Sequence, residues 1–499
     1  MKNKKTFLAN ALIIGLSSII VYAFIYLVLV VSGDELWNFN NAYKMYNGYT
    51  LYKDSNLIIT PFFFYIAYAL FDIFSPTLIT FRVYGVLITF ALLWICYKII
   101  SKLNLNKNLR LIYVTLIFLL TFQVLVAGPN YNTLAVVFIL IGVYLYITGK
   151  SSNFKQSLII FLVFFTKQNM GVYYALSVVL YELVLNKFSF KYVLDQFKKF
   201  FTFLVLTIPV LLKMYFIDQN FFEFIDYCFG GLFEFGGQNI VLTAAPFYFA
   251  IPAATFGLYS FTMLDRKTTF AKIKDEFFNT LTLLFVFSMV NTLVVYPIFN
   301  SSHFIFSFPL HLIFLFYYFD YLLLSDIFSE EKYELLSKCL VIAILLSLII
   351  RTAFYFNADS STIIQYRNEN SPFNHLYSYE DIYQKTNDLK EYIQTQNEKG
   401  ITVLICSHDA AFPMIELKQS HGMYDLLFNG NLGLNGKEKI KQDIDSLKNT
   451  KFLVVTNEED IFIQEPPEIR KYIMDNLENV GSIHNYSIYT TELTISESN

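Results

Sequence analysis

Residues 11–40 read ALIIGLSSIIVYAFIYLVLVVSGDELWNFN, an apolar run that ends at two adjacent carboxylates, Asp34 and Glu35. The whole apolar run, 7–31, exceeds the roughly 20 residues that an α-helix needs to cross a bilayer. It is also longer than the apolar core of about 7–15 residues found in cleaved signal peptides. The stretch therefore predicts a membrane helix that is followed directly by an acidic pair at the membrane surface.

The composition extends this prediction to most of the chain. The 499 residues are 55% hydrophobic and only 15% charged, whereas soluble domains carry about 25% charged residues. These values exclude a soluble globular, disordered, coiled-coil or disulfide-scaffold protein. The four cysteines form no C-x-x-C pair, so the sequence indicates neither a zinc site nor a redox couple.

Eleven membrane crossings are predicted. Nine stretches each suit one crossing. A tenth, 156–185, is broken by Lys167, Gln168 and Asn169, and we interpret it as a helical hairpin with these residues at its tip. Residues 61–74 are too short to span and are predicted to lie on the membrane or re-enter it. The nine single crossings are 7–31, 77–97, 111–127, 132–148, 201–217, 242–264, 277–299, 304–324 and 339–356.

The distribution of Lys and Arg predicts the orientation, because cytoplasmic loops are enriched in these residues. They occur at the N-terminus and in alternate loops, whereas the opposite loops, 128–131, 218–241 and 300–303, contain none. The N-terminus is thus predicted to be cytoplasmic and the C-terminal part to lie outside the cytoplasm, in a multi-pass protein of the bacterial plasma membrane. Two domains are expected: a membrane domain, 1–356, with a first exoplasmic loop at 32–76, and a soluble domain, 357–499.

The soluble domain alternates helical and strand patterns. Helices are predicted at 380–399, ended by Gly400, at 437–448, and from Pro466-Pro467 to about Glu478. Strands are predicted at 401–406, 452–456 and 486–489, which together indicate a small α/β domain. The domain carries 22 acidic and 12 basic residues, against 18 and 25 before it. No basic patch is large enough for nucleic acid, and the acidic domain would repel a polyanion, so no nucleic-acid partner is expected. The domain has no catalytic motif of its own.

Several short motifs, in this order and on these predicted sides, resemble the GT-C superfamily of membrane glycosyltransferases. The nearest resemblance is to protein O-mannosyltransferases, lipid A aminoarabinose transferases and the Rgt-like bacterial branch. The motifs are Asp34-Glu35 after the first crossing, the segment NGYTLYKD at 47–54, Thr80-Phe81-Arg82-Val83, the hairpin tip TKQNMG at 166–171, and Ser302-His303-Phe304. His303 stands where the family more usually has arginine.

The resemblance implies a specific reaction and a set of site residues. It implies transfer of a sugar from a polyprenyl-phosphate donor in the membrane lipid to a hydroxyl of a glycan, lipid or protein acceptor, with inversion. Asp34 would be the general base, supported by Glu35, because a phosphate leaving group needs no general acid. The donor phosphate would be bound by Arg82, Lys53, Lys167 and His303. The sugar or acceptor would be bound by Asp54, Asn130, Gln168 and Asn169.

Two other function classes remain open from the residues alone. One is a flippase or transporter of lipid-linked sugars, although no internal repeat is visible. The other is a polymerase or ligase of surface polysaccharide, although the late loops lack arginine. The acidic residues of loop 218–241 form no Asp-x-Asp pair, so no metal and no cofactor are predicted.

Overall fold

The computed structural model is predominantly helical in the described part of its first 321 residues. The helices are α1 (Gly33–Tyr46), α2 (Phe62–Ile73), α3 (Leu78–Lys102), α4 (Arg110–Leu125), α5 (Tyr131–Ile147), α6 (Asn153–Thr166), α7 (Gln168–Asn186), α8 (Phe190–Phe216), α9 (Phe221–Ile225), α10 (Phe247–Leu264), α11 (Asp275–Asn291) and α12 (Ser301–Phe319). The structure describes residues 14–15, 33–106, 109–125, 128–231, 241–242, 247–264, 275–296, 298–321, 362–407, 411–420, 427, 432–448, 450–457 and 466–491.

Four stretches of the described chain are long and apolar enough to cross a membrane: Leu78–Lys102, Phe190–Phe216, Asp275–Val295 and Ser302–Phe319. Shorter apolar helices occupy most of the other predicted crossings. The predicted polytopic helical architecture is confirmed, while the count of eleven stays a prediction. Almost all of the crossing at 7–31, and all of that at 339–356, fall outside the described residues.

The chain folds into two compact units. The first unit comprises 1–24, 85–210 and 241–360, and the second comprises 25–84, 211–240 and 361–499. The chain passes between them within α3 and within α8, so neither helix belongs wholly to one unit. The predicted domain boundary after residue 356 lies outside the described residues and stays a prediction.

The first unit is a bundle in which aromatic side chains fill the space between helices. The ring of Phe287 on α11 lies 5.5 Å from that of Tyr174 on α7 and 6.0 Å from that of Tyr146 on α5. The predicted hairpin is confirmed, because α6 ends at Thr166 and α7 begins at Gln168. The two helices approach closely at Gly171, where an added Cβ would lie 2.4 Å from the Cα of Phe164.

In the second unit, the described part of the predicted first loop, 33–76, contains more helix than predicted. This segment contains α1 as well as α2, and most of α1 is buried. Phe39 is fully buried and its ring lies 5.6 Å from that of Phe71 and 5.7 Å from that of Phe81. Trp37, Phe39, Tyr43 and Tyr52 are thus core residues of this unit.

The C-terminal part of the second unit is an α/β fold, as predicted. Its helices are α13 (Glu380–Glu398), α14 (Ala411–Leu417), α15 (Gly436–Leu447) and α16 (Pro467–Asn476). Its strands are β3 (Ile363–Gln365), β4 (Tyr377–Tyr379), β5 (Thr402–Ile405), β6 (Phe452–Asn457), β7 (Glu478–Ile483) and β8 (Tyr486–Thr490), after two short strands, β1 (Val241–Leu242) and β2 (Ile298–Phe299), in the first unit.

The main sheet has the order β5-β6-β8-β7, with β5 and β6 parallel and the other pairs antiparallel. Alternate residues of its strands point to opposite faces. Leu404 and Val454 therefore face a core with α15 and α16, whereas Val403 and Val455 face a core with α13. The β3–β4 hairpin, α14 and β7 were not predicted, and β7 ends the predicted helix early, at Asn476.

Within the second unit, the segment after the first crossing packs against the C-terminal part of the chain. The Tyr49 hydroxyl donates to the Lys418 carbonyl at 3.2 Å, and the Leu78 amide donates to the Pro372 carbonyl at 3.0 Å. The Phe39 and Phe373 rings are 6.2 Å apart. These contacts join α1, the loop that follows it and the start of α3 to the α/β fold.

Candidate active site

The acidic pair lies in the first turn of α1, and its two side chains have different surroundings. Asp34 is exposed, whereas only 3% of Glu35 is accessible. Adjacent residues on an α-helix point about 100° apart, so one carboxylate can face inward while the other faces outward. Carboxylates at this end of a helix are also favoured by the helix dipole.

Glu35 forms an ion pair with Arg82. The Nε of Arg82 donates to one carboxylate oxygen of Glu35 at 2.8 Å, and an Nη donates to the other at 2.7 Å. Arg82 lies near the start of α3 and is fully buried. Such bidentate pairs are strong and fix the geometry of both side chains. In this structure Arg82 holds the Glu35 carboxylate in place. Its predicted role in phosphate binding stays a prediction.

The side chain of Asp34 is exposed, but nearby protein atoms displace part of the water around its carboxyl group. Removal from bulk water raises the pKa of the Asp34 carboxyl above its usual value. The cause is desolvation. The neighbouring carboxylate of Glu35 is paired with Arg82.

The predicted loop residues Lys53 and Asp54 lie in the same unit. Lys53 is exposed. Asp54 closes a turn, since its carboxylate accepts a hydrogen bond from the Thr50 amide at 2.7 Å and its own amide donates to the Thr50 carbonyl at 2.9 Å. The Ser420 hydroxyl donates to the Asp54 carbonyl. The structure therefore gives Asp54 a role in loop geometry, and its predicted role in sugar binding stays a prediction.

A buried lysine of the same helix was missed by the sequence reasoning. Lys44 is 3% exposed and donates from Nζ to the Asp54 carbonyl at 3.2 Å. Burial lowers the pKa of Lys44 to about 7. Its spacing of seven residues from buried Trp37 places both on one helix face, and this was the available signal. Because the segment was interpreted as a loop, this helical spacing was not recognised.

A second group of predicted residues lies in the first unit, at the tip of the α6–α7 hairpin. Lys167 is buried, donates from Nζ to the Oδ1 of Asn132, and lies 5.5 Å from the centre of the Tyr131 ring. Burial lowers the pKa of Lys167 to about 7. Charge density from an amide oxygen and an aromatic face stabilises an ammonium group there. Asn132 was not predicted as a site residue.

The predicted amide residues of this group have local structural contacts. Asn130 caps α5, because its side chain accepts a hydrogen bond from the Asn132 amide at 2.7 Å. Asn169 accepts one from the Met170 amide at 2.8 Å. Gln168 is buried beside Lys167 at the start of α7. Their predicted roles in sugar binding stay predictions.

His303 is half-buried near the start of α12. Its Nδ1 lies 2.7 Å from the side-chain oxygen of Asn300, which also accepts a hydrogen bond from the His303 amide at 2.9 Å. Asn300 is the N-cap of α12. The charge of Lys167 acts on the His303 ring, so two of the predicted phosphate-binding residues are electrostatic neighbours within the first unit.

Two acidic residues that follow α8 form ion pairs with lysines of the second unit. The carboxylate of Asp218 accepts from Lys213 at 2.7 Å. That of Asp226 accepts from Lys439 at 2.7 Å and from the Leu434 amide at 2.9 Å. Within the described residues, no three His, Cys, Asp or Glu side chains converge as metal ligands. Metal independence stays a prediction.

Comparison with known protein structures identifies the fold of the chain. No family model and no curated protein sequence matches the chain. Two crystal structures of ArnT from Cupriavidus metallidurans do match. The structure bound to undecaprenyl phosphate has a TM-score of 0.54 and 11% identity, and the match covers 97% of each chain. The apo structure has a TM-score of 0.56 and 10% identity, with 98% of each chain covered. This chain therefore has the fold of ArnT over nearly its whole length.

Proposed function

We propose that this protein is a GT-C-type glycosyltransferase that moves a sugar from a polyprenyl-phosphate donor to an acceptor hydroxyl outside the cytoplasm. One observation carries the proposal: the chain shares its fold, over 97% of both chains, with ArnT crystallised with undecaprenyl phosphate. ArnT is an aminoarabinose transferase of the GT-C family. Fold alone does not fix chemistry, so the residues must supply the rest.

Asp34 is the proposed general base. It is the accessible member of the acidic pair, and desolvation raises its pKa, which makes its carboxylate a better proton acceptor. In the reaction, the acceptor oxygen forms a bond to the anomeric carbon while the bond from that carbon to the phosphate oxygen breaks. The acceptor proton passes to Asp34. Polyprenyl phosphate leaves with the bonding electrons, and attack from the opposite side inverts the anomeric centre.

Glu35 and Arg82 are proposed to position the base. Both are buried and joined by two hydrogen bonds, so the first turn of α1 is fixed relative to α3. Because Asp34 is the next residue on the same turn, anchoring Glu35 also sets the direction in which Asp34 points. Lys53, which is exposed in the same unit, is proposed as a loop cation for the donor phosphate, and Arg82 is proposed to contribute its positive charge.

Lys167 and His303 are proposed as the other phosphate-binding residues. They are electrostatic neighbours, and a phosphate anion is stabilised by cations in surroundings of low polarity. Gln168 and Asn169 follow Lys167 at the start of α7, and Asn130 caps α5. Together with Asp54, these residues are the proposed hydrogen-bonding groups for the sugar or the acceptor.

The proposed orientation places the C-terminal α/β fold and the loop after the first crossing outside the cytoplasm. Two contacts within the second unit support placing them on the same side, those of Tyr49 with Lys418 and of Leu78 with Pro372. The Lys and Arg distribution then favours the non-cytoplasmic side.

The test is Asp34→Asn, which keeps size and hydrogen bonding but removes the proton acceptor. Purified full-length protein in lipid nanodiscs would receive a radiolabelled undecaprenyl-phosphate sugar and an envelope extract as acceptor. Transfer should fall by about 10²–10⁴-fold with unchanged donor affinity. Asp381→Asn is the matched control, since Asp381 is also exposed in the first turn of a helix. Transfer by Asp34→Asn at the rate of this control would refute the proposal.

A further inference from the structure

The exposed cation Lys53 lies between buried residues of the loop 47–55. Leu51 and Tyr52 before it, and Ser55 after it, are each at most 4% exposed. The loop thus presents one charged side chain from a backbone that is packed into the second unit. The direction of the Lys53 side chain therefore depends on what holds the backbone on either side of it.

On the N-terminal side, Tyr52 has a backbone conformation that few residues other than glycine adopt. Its φ is 68°, in the left-handed region, where the Cβ crowds the following carbonyl oxygen. Its hydroxyl donates to the Ile59 carbonyl at 2.9 Å, and its ring lies 5.2 Å from that of Phe224. Such conformations persist where surrounding contacts determine them, and they cluster at ligand sites. The contacts of Tyr52 thus fix the backbone that leads into Lys53.

On the C-terminal side, the carbonyl oxygen of Asp54 accepts hydrogen bonds from two distant parts of the chain. The Nζ of Lys44, on α1, donates to it at 3.2 Å, and the hydroxyl of Ser420, which follows α14, donates to it as well. The backbone carbonyl of Lys44 also accepts from the Tyr49 amide at 3.0 Å. Lys44 therefore holds the loop near both of its ends, and it does so from the helix that carries the proposed base.

Packing alone does not explain a lysine at position 44. Its side chain is 3% exposed, and burial of its charge lowers the pKa of Lys44 to about 7. An unbranched apolar side chain such as methionine could fill this space without the cost of burying a charge. The ammonium group supplies a hydrogen bond to the loop that an apolar side chain lacks.

We propose that Lys44 is a positioning residue, which holds the loop 47–55 on α1 and thereby directs the ammonium group of Lys53 towards the donor phosphate. This inference rests on the proposed function, because it takes Lys53 as a phosphate-binding residue. Lys44 itself does not contact the substrate in this role. A cation that is directed before binding has less freedom to lose when the phosphate arrives, so loosening the loop should weaken donor binding.

A double-variant cycle on undecaprenyl phosphate binding tests this role. Radiolabelled undecaprenyl phosphate would be titrated into full-length protein in lipid nanodiscs at pH 6, where Lys44 is mostly protonated. Lys44→Met should weaken binding about 2–10-fold, the typical worth of one hydrogen bond. In a Lys53→Ala background the same substitution should have no further effect, because the loop then has no cation to direct.

Ser420→Ala removes the other side-chain donor to the same carbonyl and should give the same pattern. Ser446→Ala is the matched control, since the Ser446 hydroxyl also donates to a backbone carbonyl, that of Asp443 in α15, outside this loop. Binding by Lys44→Met at the strength of this control overturns the proposal. A loss of equal size with and without Lys53 also overturns it, because that result indicates a general weakening of the fold.

Failure of this inference and failure of the proposed function give different results. If the wild type binds undecaprenyl phosphate and Lys53→Ala weakens that binding, the cycle alone decides the role of Lys44. If Lys53→Ala binds as tightly as the wild type, the role of Lys44 is refuted, whereas transfer that depends on Asp34 would still support the proposed function. A wild type that neither binds undecaprenyl phosphate nor transfers a sugar refutes both.

Discussion

The Glu35–Arg82 pair gives the sharpest prediction, because both partners are almost fully removed from solvent. Glu35→Gln removes one charge and takes from Arg82 the carboxylate that accepts its two hydrogen bonds. Arg82 is fully buried and Glu35 is 3% exposed, so water cannot take the place of the lost carboxylate. Breaking a buried pair in this way costs about 3–5 kcal/mol. Arg82→Met should cost a similar amount, because it leaves Glu35 buried and charged.

The double variant Glu35→Gln/Arg82→Met distinguishes a buried pair from two independent contributions. Both charges of the pair are absent from it, so its loss of stability should be clearly smaller than the sum of the two single losses. Contacting residues typically show interaction free energies of about 0.5–3 kcal/mol in such cycles. We expect a value at the upper end, since the two hydrogen bonds are 2.8 and 2.7 Å long.

Tryptophan fluorescence during thermal unfolding measures these losses locally. The chain has two tryptophans, and Trp94→Phe leaves Trp37 as the only reporter. Trp37 is buried two residues from Glu35, and its ring lies 6.5 Å from that of Phe64. Single variants that unfold at the wild-type temperature, or a double variant whose loss equals the sum of the singles, would refute the argument that the pair anchors α1.

Three further predictions follow from other residues. Burial lowers the pKa of Lys167 to about 7, so the ammonium form is lost as pH rises; if it binds the donor phosphate, affinity for undecaprenyl phosphate should be up to about tenfold weaker at pH 8 than at pH 6. Lys167→Arg should bind equally at both values, and equal binding by the wild type would contradict the role. Gly171→Ala should lower the free energy of unfolding by about 1–3 kcal/mol, since its Cβ would meet the Phe164 backbone, whereas Gly257→Ala, with nothing described within 4 Å, should leave melting unchanged or slightly higher. A reporter that is active only in the cytoplasm should stay silent when fused after Asn499, and activity there would contradict the proposed orientation.

Much of the fold could be predicted because its signals are local. A bilayer sets the length of an apolar helix, so the apolar runs at 77–97, 201–217 and 304–324 predicted the helices at 78–102, 190–216 and 301–319. The start of the second helix did not follow, because residues 190–200 include several lysines. Strands β5 and β6 follow from short runs of Val, Ile and Leu. Helix α1 did not follow, because Asn38, Asn40 and Asn41 are weak helix formers that favour turns. Strand β7 did not follow either, since its sequence, ENVGSI, is largely exposed and contains glycine.

The candidate site could be predicted as a set of residue types but not as a set of contacts. Glu35 and Arg82 are separated by 47 positions, and Lys167 and Asn132 by 35. No spacing rule relates residues so far apart, because their pairing depends on how whole helices pack. The sequence could therefore indicate an acidic pair and several cations. Which carboxylate of the pair is buried and which is exposed depends on the fold.

The different directions of Asp34 and Glu35 follow from the rotation of helix α1 about its axis. Asp34 and Glu35 point about 100° apart, so the ion pair that holds Glu35 inward also holds Asp34 outward. Farther along α1, Phe39 packs on Phe71, Phe81 and Phe373, and this packing opposes rotation at a second point. A helix fixed at two points along its length has little freedom to roll. The direction of Asp34 therefore depends on the C-terminal α/β fold as well as on Arg82, although no residue of that fold is proposed to take part in the chemistry.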